Sequence, residues 1–255
     1  MKDSTNIKMQ LLDKYGDASC MESVDFCRAA YRFITEEDDA ATPSTEQHDI
    51  VSAPAHVQAI DLGLPSGTLW ADRNIGAKSP EDYGAFFSWG NTEPLYPVNS
   101  GNDWGDDDDV FAEECAFTED NYKKTEGYKL EGDIDISHDA ARINMGEPWV
   151  MPTSEQFQEL YDNCTWIRKT VNGVNGYLVT SKINGNSIFF ACSGYCYGTS
   201  LNSRGSDGDY WSSSYYSATN AYILSFYSST VYPQYNYNRR FGFTVRAVQN
   251  LPTNK

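Results

Sequence analysis

The sequence predicts an α+β domain that is rich in short β-strands, with one well-defined helix and a helical extension at the N-terminus. From Ala59 onward, apolar residues alternate with Gly, Pro and Ser, a pattern that favours short strands joined by tight turns. One segment near the middle of the chain carries both a helix start signal and a single apolar face. The 255 residues are 40% hydrophobic and 14% aromatic, which is enough to build a core.

The N-terminal part differs in character from the rest of the chain. Five of its apolar residues follow one another at the three- or four-residue steps of a helix: Met21, Val24, Cys27, Tyr31 and Ile34. The acidic segment EEDDAATPSTEQHD, residues 36–49, predicts a linker. We therefore expect a helical extension and acidic linker over residues 1–50, before a ligand-binding domain over 51–255. Two roles for the extension stay open: packing against the main domain, or assembly of a homo-oligomer.

The predicted elements of the main domain follow in order. Residues 59–77 suit short strands and turns, and DYGAFFSWGNTEP continues in that manner. In MPTSEQFQELYDNC, Thr153 and Gln156 form a predicted capping box. Four apolar residues behind it share one helical face: Phe157, Leu160, Tyr161 and Cys164. Residues 166–182 predict a hairpin that turns at NGVNG, and SIFFACSGY predicts an apolar strand.

The net charge of the chain limits the kinds of partner that it can bind. Nineteen Lys and Arg stand against 36 Asp and Glu, which gives a net charge of −17. Such a surface repels phosphate backbones and anionic lipid heads, so we expect no nucleic-acid partner. No apolar run approaches the ~20 residues of a transmembrane helix, so we expect no membrane insertion. The first residues lack a signal peptide, which predicts a cytoplasmic or virion-associated protein, or a cell-surface protein if a leader has been removed.

The cysteines and acidic residues suggest no metal or cofactor. Without an export signal, we expect the six cysteines to be buried free thiols. Cys192 and Cys196 are not a CxxC pair, and none of the three histidines lies near them in sequence, so a zinc site is not expected. The run GNDWGDDDD, residues 101–109, could offer oxygen ligands to calcium, but it lacks the order of an EF-hand loop. A solvated loop is the favoured interpretation.

The usual catalytic motifs are missing as well. No His follows His138, and neither a GxSxG motif nor a Walker loop occurs. Asp207 and Asp209 flank Gly208 and could suggest the paired carboxylates of a glycoside hydrolase. Nothing in the sequence places a second acid opposite them, and Asp in a Gly-rich turn is usually a turn former. We therefore expect a protein that is not an enzyme.

One segment is unusually rich in tyrosine. Ten of the 18 tyrosines fall between Tyr195 and Tyr237, among Ser and Asn. Tyr offers a large contact area at low entropic cost, and Ser and Asn add adaptable hydrogen bonds, as in antibody binding loops. A tyrosine-rich sheet surface or an aggregating segment is the structural alternative. Large apolar residues such as Trp211, Leu224 and Phe243 punctuate the stretch and favour a buried framework instead.

The amino acids that are missing there form a further pattern. Residues 183–254 hold no Lys, no Glu follows Glu159, and Ser212 to Phe241 hold no Met or Trp and a single Gln, Gln234. These five amino acids are the ones whose codons all end in a purine. If adenines in AAC or AAT codons were randomised, Asn would become Tyr, Ser, Asp, Thr, Ile or Phe. The stretch contains those residues.

Five segments resemble a known family: DLGLPSGTLWADRNIGA, DYGAFFSWGNTEP, WVMPTSEQFQELYDNCTW, GYLVTSKINGNSIFF and DYWSSSYYSATNAYILSFYSSTVYPQYNYNRRFGFTVRAV. They are similar to the Fibrobacter-type major paralogous domain of gut bacteria and their phages, which has a C-type lectin fold. The last segment further resembles the variable region of diversity-generating retroelement target proteins. The resemblance spans residues 57–250 and implies a noncatalytic protein that binds a protein or glycan, with a hypervariable region over about 202–241.

The resemblance assigns residues to two classes. The implied framework is Gly208, Tyr210, Trp211, Ser212, Ser213, Ala221, Tyr222, Leu224, Phe226, Val231, Arg239, Gly242, Phe243, Val245 and Arg246. The implied variable, displayed ligand-binding residues are Asp209, Tyr215, Tyr216, Ser217, Thr219, Asn220, Ile223, Ser225, Tyr227, Thr230, Tyr232, Tyr235, Asn236, Tyr237, Asn238, Arg240 and Phe241. Gln234 departs from the codon pattern. The calcium-binding sugar motifs of animal lectins are absent.

Three further expectations concern two arginines and the alternative functions. Arg239 and Arg246 are predicted to be structural partners of acidic groups or backbone carbonyls. A fixed-specificity adhesin, or a phage or fibre receptor-binding subunit, is the alternative function. A formylglycine-generating-like oxidase is a third, because that family shares the fold and uses a cysteine pair, for which Cys192 and Cys196 are the candidates in this chain.

Overall fold

The computed structural model describes residues 56–97 and 110–250. Within them the protein is an α+β domain of short strands with few helices, as the sequence predicts. The predicted helical extension and linker of residues 1–50 lie outside the described residues. The acidic run at 101–109 lies outside them too.

Twelve strands are present in the described residues, and most are short. Their bounds are β1 Ala59–Asp61, β2 Leu69–Ala71, β3 Trp149–Val150, β4 Cys164–Val171, β5 Val174–Ser181, β6 Ser187–Ala191, β7 Tyr195–Tyr197, β8 Ser200–Asn202, β9 Gly208–Tyr215, β10 Asn220–Tyr227, β11 Thr230–Asn238 and β12 Val248–Gln249.

The helices include one of substantial length. The three α-helices are α1 Glu119–Tyr122, α2 Ala140–Met145 and α3 Ser154–Asn163, and single 3₁₀ turns lie at Glu113–Cys115, Gly127–Lys129 and Ile136–His138. The predicted capping box of α3 is confirmed: the Thr153 hydroxyl accepts from the Gln156 backbone N–H, and the Gln156 side chain accepts from the Thr153 N–H. Of the predicted apolar face, Phe157, Leu160 and Cys164 are buried. None of the described helices has the length and apolar character needed to cross a membrane.

The strands form four small sheets. The first, in the order β1-β2-β12-β3, joins the beginning and the end of the described chain. The predicted hairpin is confirmed as β4 and β5, which turn at Asn172 and Gly173, both with positive φ, and β6 extends this pair into a three-stranded sheet. Strands β7 and β8 pair with each other. The last sheet has the order β11-β10-β9, with β11 at its edge.

The β9–β10–β11 sheet has a hydrophobic cluster on each side. Tyr210, Leu224 and Phe226 belong to a cluster that includes Phe157 and Leu160 of α3. Trp211, Ala221 and Ile223 belong to the second cluster, with Phe243 and Val245 from the segment that follows β11. Because both faces of β9 and β10 are covered, the sheet is anchored in the core, and the exposed residues lie mainly in the edge strand β11 and the connecting loops.

Candidate functional site

The tyrosine-rich stretch folds into the β9–β10–β11 sheet, and pairing across its strands creates three rows on one face. Each row runs from β9 through β10 to β11. The first row is Tyr215, Ala221 and Tyr237, the second is Trp211, Ile223 and Tyr235, and the third is Asp209, Ser225 and Tyr232. Side chains paired in this way share a face of the sheet. Each row therefore ends at a tyrosine of the edge strand β11.

A β-bulge brings these tyrosines together. The register of β10 and β11 shifts between Ile223 and Ser225, so Tyr235 and Tyr232 lie on the same face although they are three residues apart. The Tyr227 and Tyr232 rings stack with centroids 5.3 Å apart, and the Tyr227 hydroxyl donates to the Tyr232 hydroxyl at 3.1 Å. The Tyr235 ring lies 5.9 Å from that of Tyr232. We call Tyr227, Tyr232 and Tyr235 the tyrosine ladder.

A second aromatic group forms around Phe241. Its ring stacks on Tyr197 at 4.9 Å and meets Tyr237 edge-on at 4.7 Å, and Tyr195 lies 6.1 Å away. These four residues are the Phe241 cluster. Arg240 places its guanidinium 5.5 Å from the centre of the Tyr197 ring and forms an ion pair with Glu119 at 2.8 Å. The cluster thus combines aromatic faces with a cation that a carboxylate holds in place.

Other predicted residues lie on the opposite face of the sheet or in its turns. Tyr222 precedes the buried Ile223 and so faces the other way, where its ring meets Tyr216 edge-on at 5.2 Å. The Asn220 amide donates to the Asn236 side chain at 2.9 Å. The Ser217 hydroxyl accepts from the Asn220 N–H at 3.1 Å and so holds the β9–β10 turn. Thr219 and Thr230 are exposed at the two turns, and the Asn238 side chain accepts from the Arg240 N–H.

Buried side chains hold this sheet against the rest of the molecule. The Trp211 indole N–H donates to the Phe87 carbonyl at 2.8 Å, and that of Trp89 donates to the Ser212 carbonyl at 2.9 Å. Tyr210 donates to the Ala191 carbonyl at 2.7 Å. At Gly208, a Cβ atom would overlap the Phe226 ring, so glycine is required for close packing. The predicted framework positions are accordingly buried, except for Tyr222 and Val231, which are half-buried.

The two predicted structural arginines bind backbone carbonyls, as expected. Arg239 is 1% exposed, donates to the carbonyls of Gly127 and Ala218, and stacks 4.4 Å above the Trp89 ring. Arg246 is fully buried and donates to the carbonyls of Ala71 and Phe189 and to the Asn74 side chain. Burial lowers the pKa of Arg246 to about 10. Neither side chain is available to a ligand.

Three residues that were expected to be displayed are buried. Ile223 is fully buried, Ser225 is 6% exposed and Asp209 is 8% exposed. The physical reason is that β10 lies between β9 and β11, while the outer edge of β9 is covered by the segment after β11. Thr244 of that segment bridges Tyr210, and the Phe243 ring centre lies 4.5 Å from that of Trp211. Asp209 is also not a turn former, since it is the second residue of β9. Of the variable set, the exposed or half-buried members are therefore those of β11, the turns and the strand ends.

Two residues of this surface were not predicted to bind a ligand: Tyr195 and Tyr197 come from β7 and complete the Phe241 cluster. On the opposite face, Tyr222 was assigned to the framework although it is half-buried beside Tyr216. The signal that could have found the first two is the tyrosine density itself, which begins at Tyr195.

Asp209 has an unusual environment. Burial raises the pKa of its carboxyl to about 7, a hydrogen bond with Ser225 opposes the shift, and nearby Asp207 adds to it. Among the described residues, no Lys or Arg forms an ion pair with this carboxyl. A strongly shifted carboxyl at the base of an aromatic surface is a feature that often marks a functional site.

The cysteines differ in part from the expectation of free thiols. Cys164 and Cys192 are buried thiols, and burial raises the pKa of each to about 11. Cys196 is fully buried in a different hydrophobic cluster from Cys192. Cys115, in contrast, is disulfide-bonded, so the expectation was wrong for that residue.

A cavity of about 770 Å³ lies elsewhere, around α1 and the 3₁₀ turns. Arg240 is the one predicted binding residue in its lining, which also includes Asn91, Phe117, Tyr122, Glu126 and His138. Within residues 56–97 and 110–250, no three His, Cys, Asp or Glu side chains come together in a way that could hold a metal ion. We call the tyrosine ladder and the Phe241 cluster together the tyrosine surface. It, and not this cavity, gathers several of the residues that the sequence singled out.

Residues 167–248 match the model of a family described as a domain of unknown function, DUF8237. The match runs from β4 to the first residue of β12 and so includes the whole tyrosine surface. It covers less than half of the chain. No curated protein and no solved structure matches the sequence.

Proposed function

We propose that this protein is a noncatalytic ligand-binding module, which recognises a protein or glycan through the tyrosine ladder and the Phe241 cluster. The observation that carries the proposal is the contrast between a buried, hydrogen-bonded framework and an aromatic surface that is left half-exposed. Tyr197, Tyr227 and Tyr235 are 46–49% exposed, whereas Trp211 and Arg246 behind them are fully buried. Tyr on a rigid support binds with little loss of side-chain freedom, which favours affinity.

The same proposal includes a C-type lectin fold and diversification of the surface. The lectin-like fold is supported by the element content: short strands, one long helix and extended connections. Diversification is supported by the exposed or half-buried Tyr, Ser and Asn residues of the edge strand and turns, since surface substitutions usually change stability by less than ~0.5 kcal/mol. Gln234, which breaks the codon pattern, donates to the Ser154 carbonyl at 3.3 Å and so has a structural role at the start of α3.

An oxidase that uses a cysteine pair is the less favoured alternative. The candidate pair, Cys192 and Cys196, is completely buried, and the raised pKa of Cys192 opposes the thiolate form that such chemistry needs. A fixed-specificity adhesin or a receptor-binding subunit of a phage or fibre would use the same tyrosine surface. It differs from a diversified binder only in whether the sequence varies within a population.

The binding role is tested by screening the full chain against a glycan array and a displayed random-peptide library. Each ligand found is then measured against the triple variant Tyr227→Ser, Tyr232→Ser, Tyr235→Ser. We expect at least a tenfold loss of affinity with little change in thermal stability, because the ladder contributes contact area and is not part of the core. The matched control is Tyr128→Ser with Tyr161→Ser, two exposed tyrosines outside the surface. Ligands that bind the ladder variant as tightly as the native chain would contradict the proposal.

Diversification has a separate test in the sequence of the gene and its flanks across one source population. Substitutions confined to AAC- or AAT-derived codons within 202–241, beside a template copy and a reverse transcriptase, are the expected result. A uniform sequence there would leave the binding role intact and assign a fixed specificity to it.

A further inference from the structure

The third row of the sheet ends in a carboxyl group that the structural framework does not use. Asp209 in β9 pairs with Ser225 in β10, and Ser225 pairs with Tyr232 of the tyrosine ladder in β11. The three side chains therefore share one face of the sheet. On this face the neighbouring rows are covered by Phe243, which packs against Trp211 and Tyr237.

Asp209 also interacts electrostatically with the Phe241 cluster. Burial raises the pKa of Tyr237, and the charges of Tyr195, Asp209 and Tyr235 add to that shift. The carboxyl thus shares a sheet face with Tyr232 of the tyrosine ladder and acts on Tyr237 of the Phe241 cluster.

Asp209 is 8% exposed, yet no cation in the described part of the chain forms an ion pair with its carboxyl. Arg168, the basic residue that holds the adjoining turn, donates to the carbonyls of Ser228, Gly205 and Ser206 instead. Buried charges are normally compensated by an opposite charge or by hydrogen bonds. Arg239 and Arg246 follow that rule through their carbonyl partners. For Asp209, a hydrogen bond with Ser225 is the one contribution that lowers the pKa of the carboxyl and so favours its charged form.

We propose that Asp209, with the tyrosines around it, forms a subsite for a cationic group of the ligand, an alkylammonium or a guanidinium. This inference rests on the proposed binding function and specifies the chemistry that the surface selects. A cation there would gain an ion pair with the carboxylate and would lie against tyrosine faces, which attract cations. The acidic charge of the whole chain, −17, favours approach of such a ligand.

Three small molecules serve as probes. Their binding to the full chain, labelled with carbon-13 at the Asp carboxyls, is monitored by NMR. N-acetyl-arginine methylamide represents a basic side chain of a protein ligand, and choline represents a small quaternary amine. N-acetyl-citrulline methylamide is an uncharged compound of nearly the same shape as the arginine probe and serves as its control. At pH 8 we expect at least one of the two cations to bind at least threefold more tightly than the citrulline compound and to shift the Asp209 carboxyl resonance. The stronger of the two identifies which source of cation fits.

The pH dependence gives a second readout on the unmodified protein. A bound cation stabilises the carboxylate, so the midpoint of the Asp209 titration should move to lower pH when the cation is present. Asp207, Tyr195, Tyr232, Tyr235, Tyr237 and Arg168 are the other titratable groups around the site. Of these, Asp207 is the other carboxyl, and its contribution is examined by substitution.

Two variants, each lacking one carboxyl of the native chain, complete the test. Asp209→Asn keeps the shape of the side chain and should abolish the preference for the cation over citrulline, whereas Asp207→Asn should retain it. Equal binding of the cations and citrulline, no binding of either cation, or a preference that survives in Asp209→Asn would each overturn the inference. If Asp209→Asn does not fold, the titration shift in the native chain still decides.

Failure of this inference is distinguishable from failure of the proposed function. A ligand from the array or library that depends on the tyrosine ladder but binds Asp209→Asn normally would remove the cation subsite and leave the binding function in place. Loss of ladder dependence would remove both.

Discussion

Two buried residues with ionisable side chains, Arg246 and Asp209, have opposite hydrogen-bonding environments. The Arg246 guanidinium donates to two carbonyls and one amide oxygen, and its Cζ atom lies 4.7 Å from the centre of the Phe190 ring. For Asp209, a hydrogen bond with Ser225 is the one interaction that lowers the pKa of the carboxyl, and the charge of Asp207 raises it. A satisfied buried charge supports the fold, whereas an unpaired one costs stability when it is ionised. The difference separates a framework residue from a candidate ligand contact.

The pH dependence of stability should report the cost of Asp209. Its folded pKa of about 7 lies above the ordinary value of 3.8, so the native state holds a proton that the unfolded chain releases between these values. The contribution of this group is therefore most favourable below pH 4 and is lost as the pH rises to 7. We therefore expect the free energy of unfolding of Asp209→Asn, relative to that of the native chain, to increase by an amount on the order of 3 kcal/mol as the pH rises through that window. Chemical denaturation of both proteins from pH 4.5 to 8 measures this difference.

The neighbouring carboxyl supplies the control for that experiment. Asp207→Asn should keep most of the pH dependence, because burial is the larger cause of the raised pKa of Asp209 and the charge of Asp207 is a smaller one. A relative stability of Asp209→Asn that does not change with pH would show that the carboxyl is not buried as described.

At the scale of elements, α3 and the tyrosine-bearing sheet depend on each other. The helix packs Phe157 and Leu160 into the same cluster as Leu224 and Phe226 of β10. Its first turn is further tied to the sheet, since the Ser154 N–H donates to the Ser214 hydroxyl at 3.0 Å and Gln234 donates to the Ser154 carbonyl. The start of α3 therefore helps to fix both β9 and the edge strand β11.

The capping box of α3 offers a direct test of this coupling. Thr153→Ala removes the side-chain acceptor of the Gln156 N–H and should lower the free energy of unfolding by about 1 kcal/mol. The control is Thr230→Ala, an exposed threonine at the start of β11, for which we expect a change within ~0.5 kcal/mol. Urea denaturation of both variants gives the comparison. Equal effects of the two substitutions would argue against a stabilising role for the cap.

At the scale of the whole molecule, the dominant feature is the net charge of −17. Self-repulsion of that charge destabilises the compact state, and salt screens it. The screening length falls from ~30 Å at 0.01 M to ~8 Å at 0.15 M ionic strength. We therefore expect the melting temperature at pH 7 to rise when NaCl is increased from about 10 to about 150 mM, a change over which screening dominates other salt effects.

The matched condition is the same salt increase near pH 4.4, the isoelectric point from the sequence, where the net charge is small. There the rise in melting temperature should be much weaker. A rise of the same size at both pH values would mean that salt acts through something other than charge repulsion.

The sequence by itself determined the features that depend on local spacing. The capping signal and the apolar residues placed α3, the Asn-Gly turn placed the β4–β5 hairpin, and the large apolar residues and arginines marked the framework. These features follow from the helix and strand periods and from the conformations that single residues prefer, so neighbouring residues suffice to predict them.

Only the tertiary structure decided which polar and aromatic residues form the surface. Simple alternation would put Tyr232 and Tyr235 on opposite faces, and the β-bulge in the β10–β11 pairing puts them on one. Asp209, Ile223 and Ser225 are buried where β9, β10 and β11 pair, and the Phe241 cluster depends on Tyr195 and Tyr197 arriving from β7. Strand register and contacts between distant segments set these outcomes, and local periodicity carries no information about either.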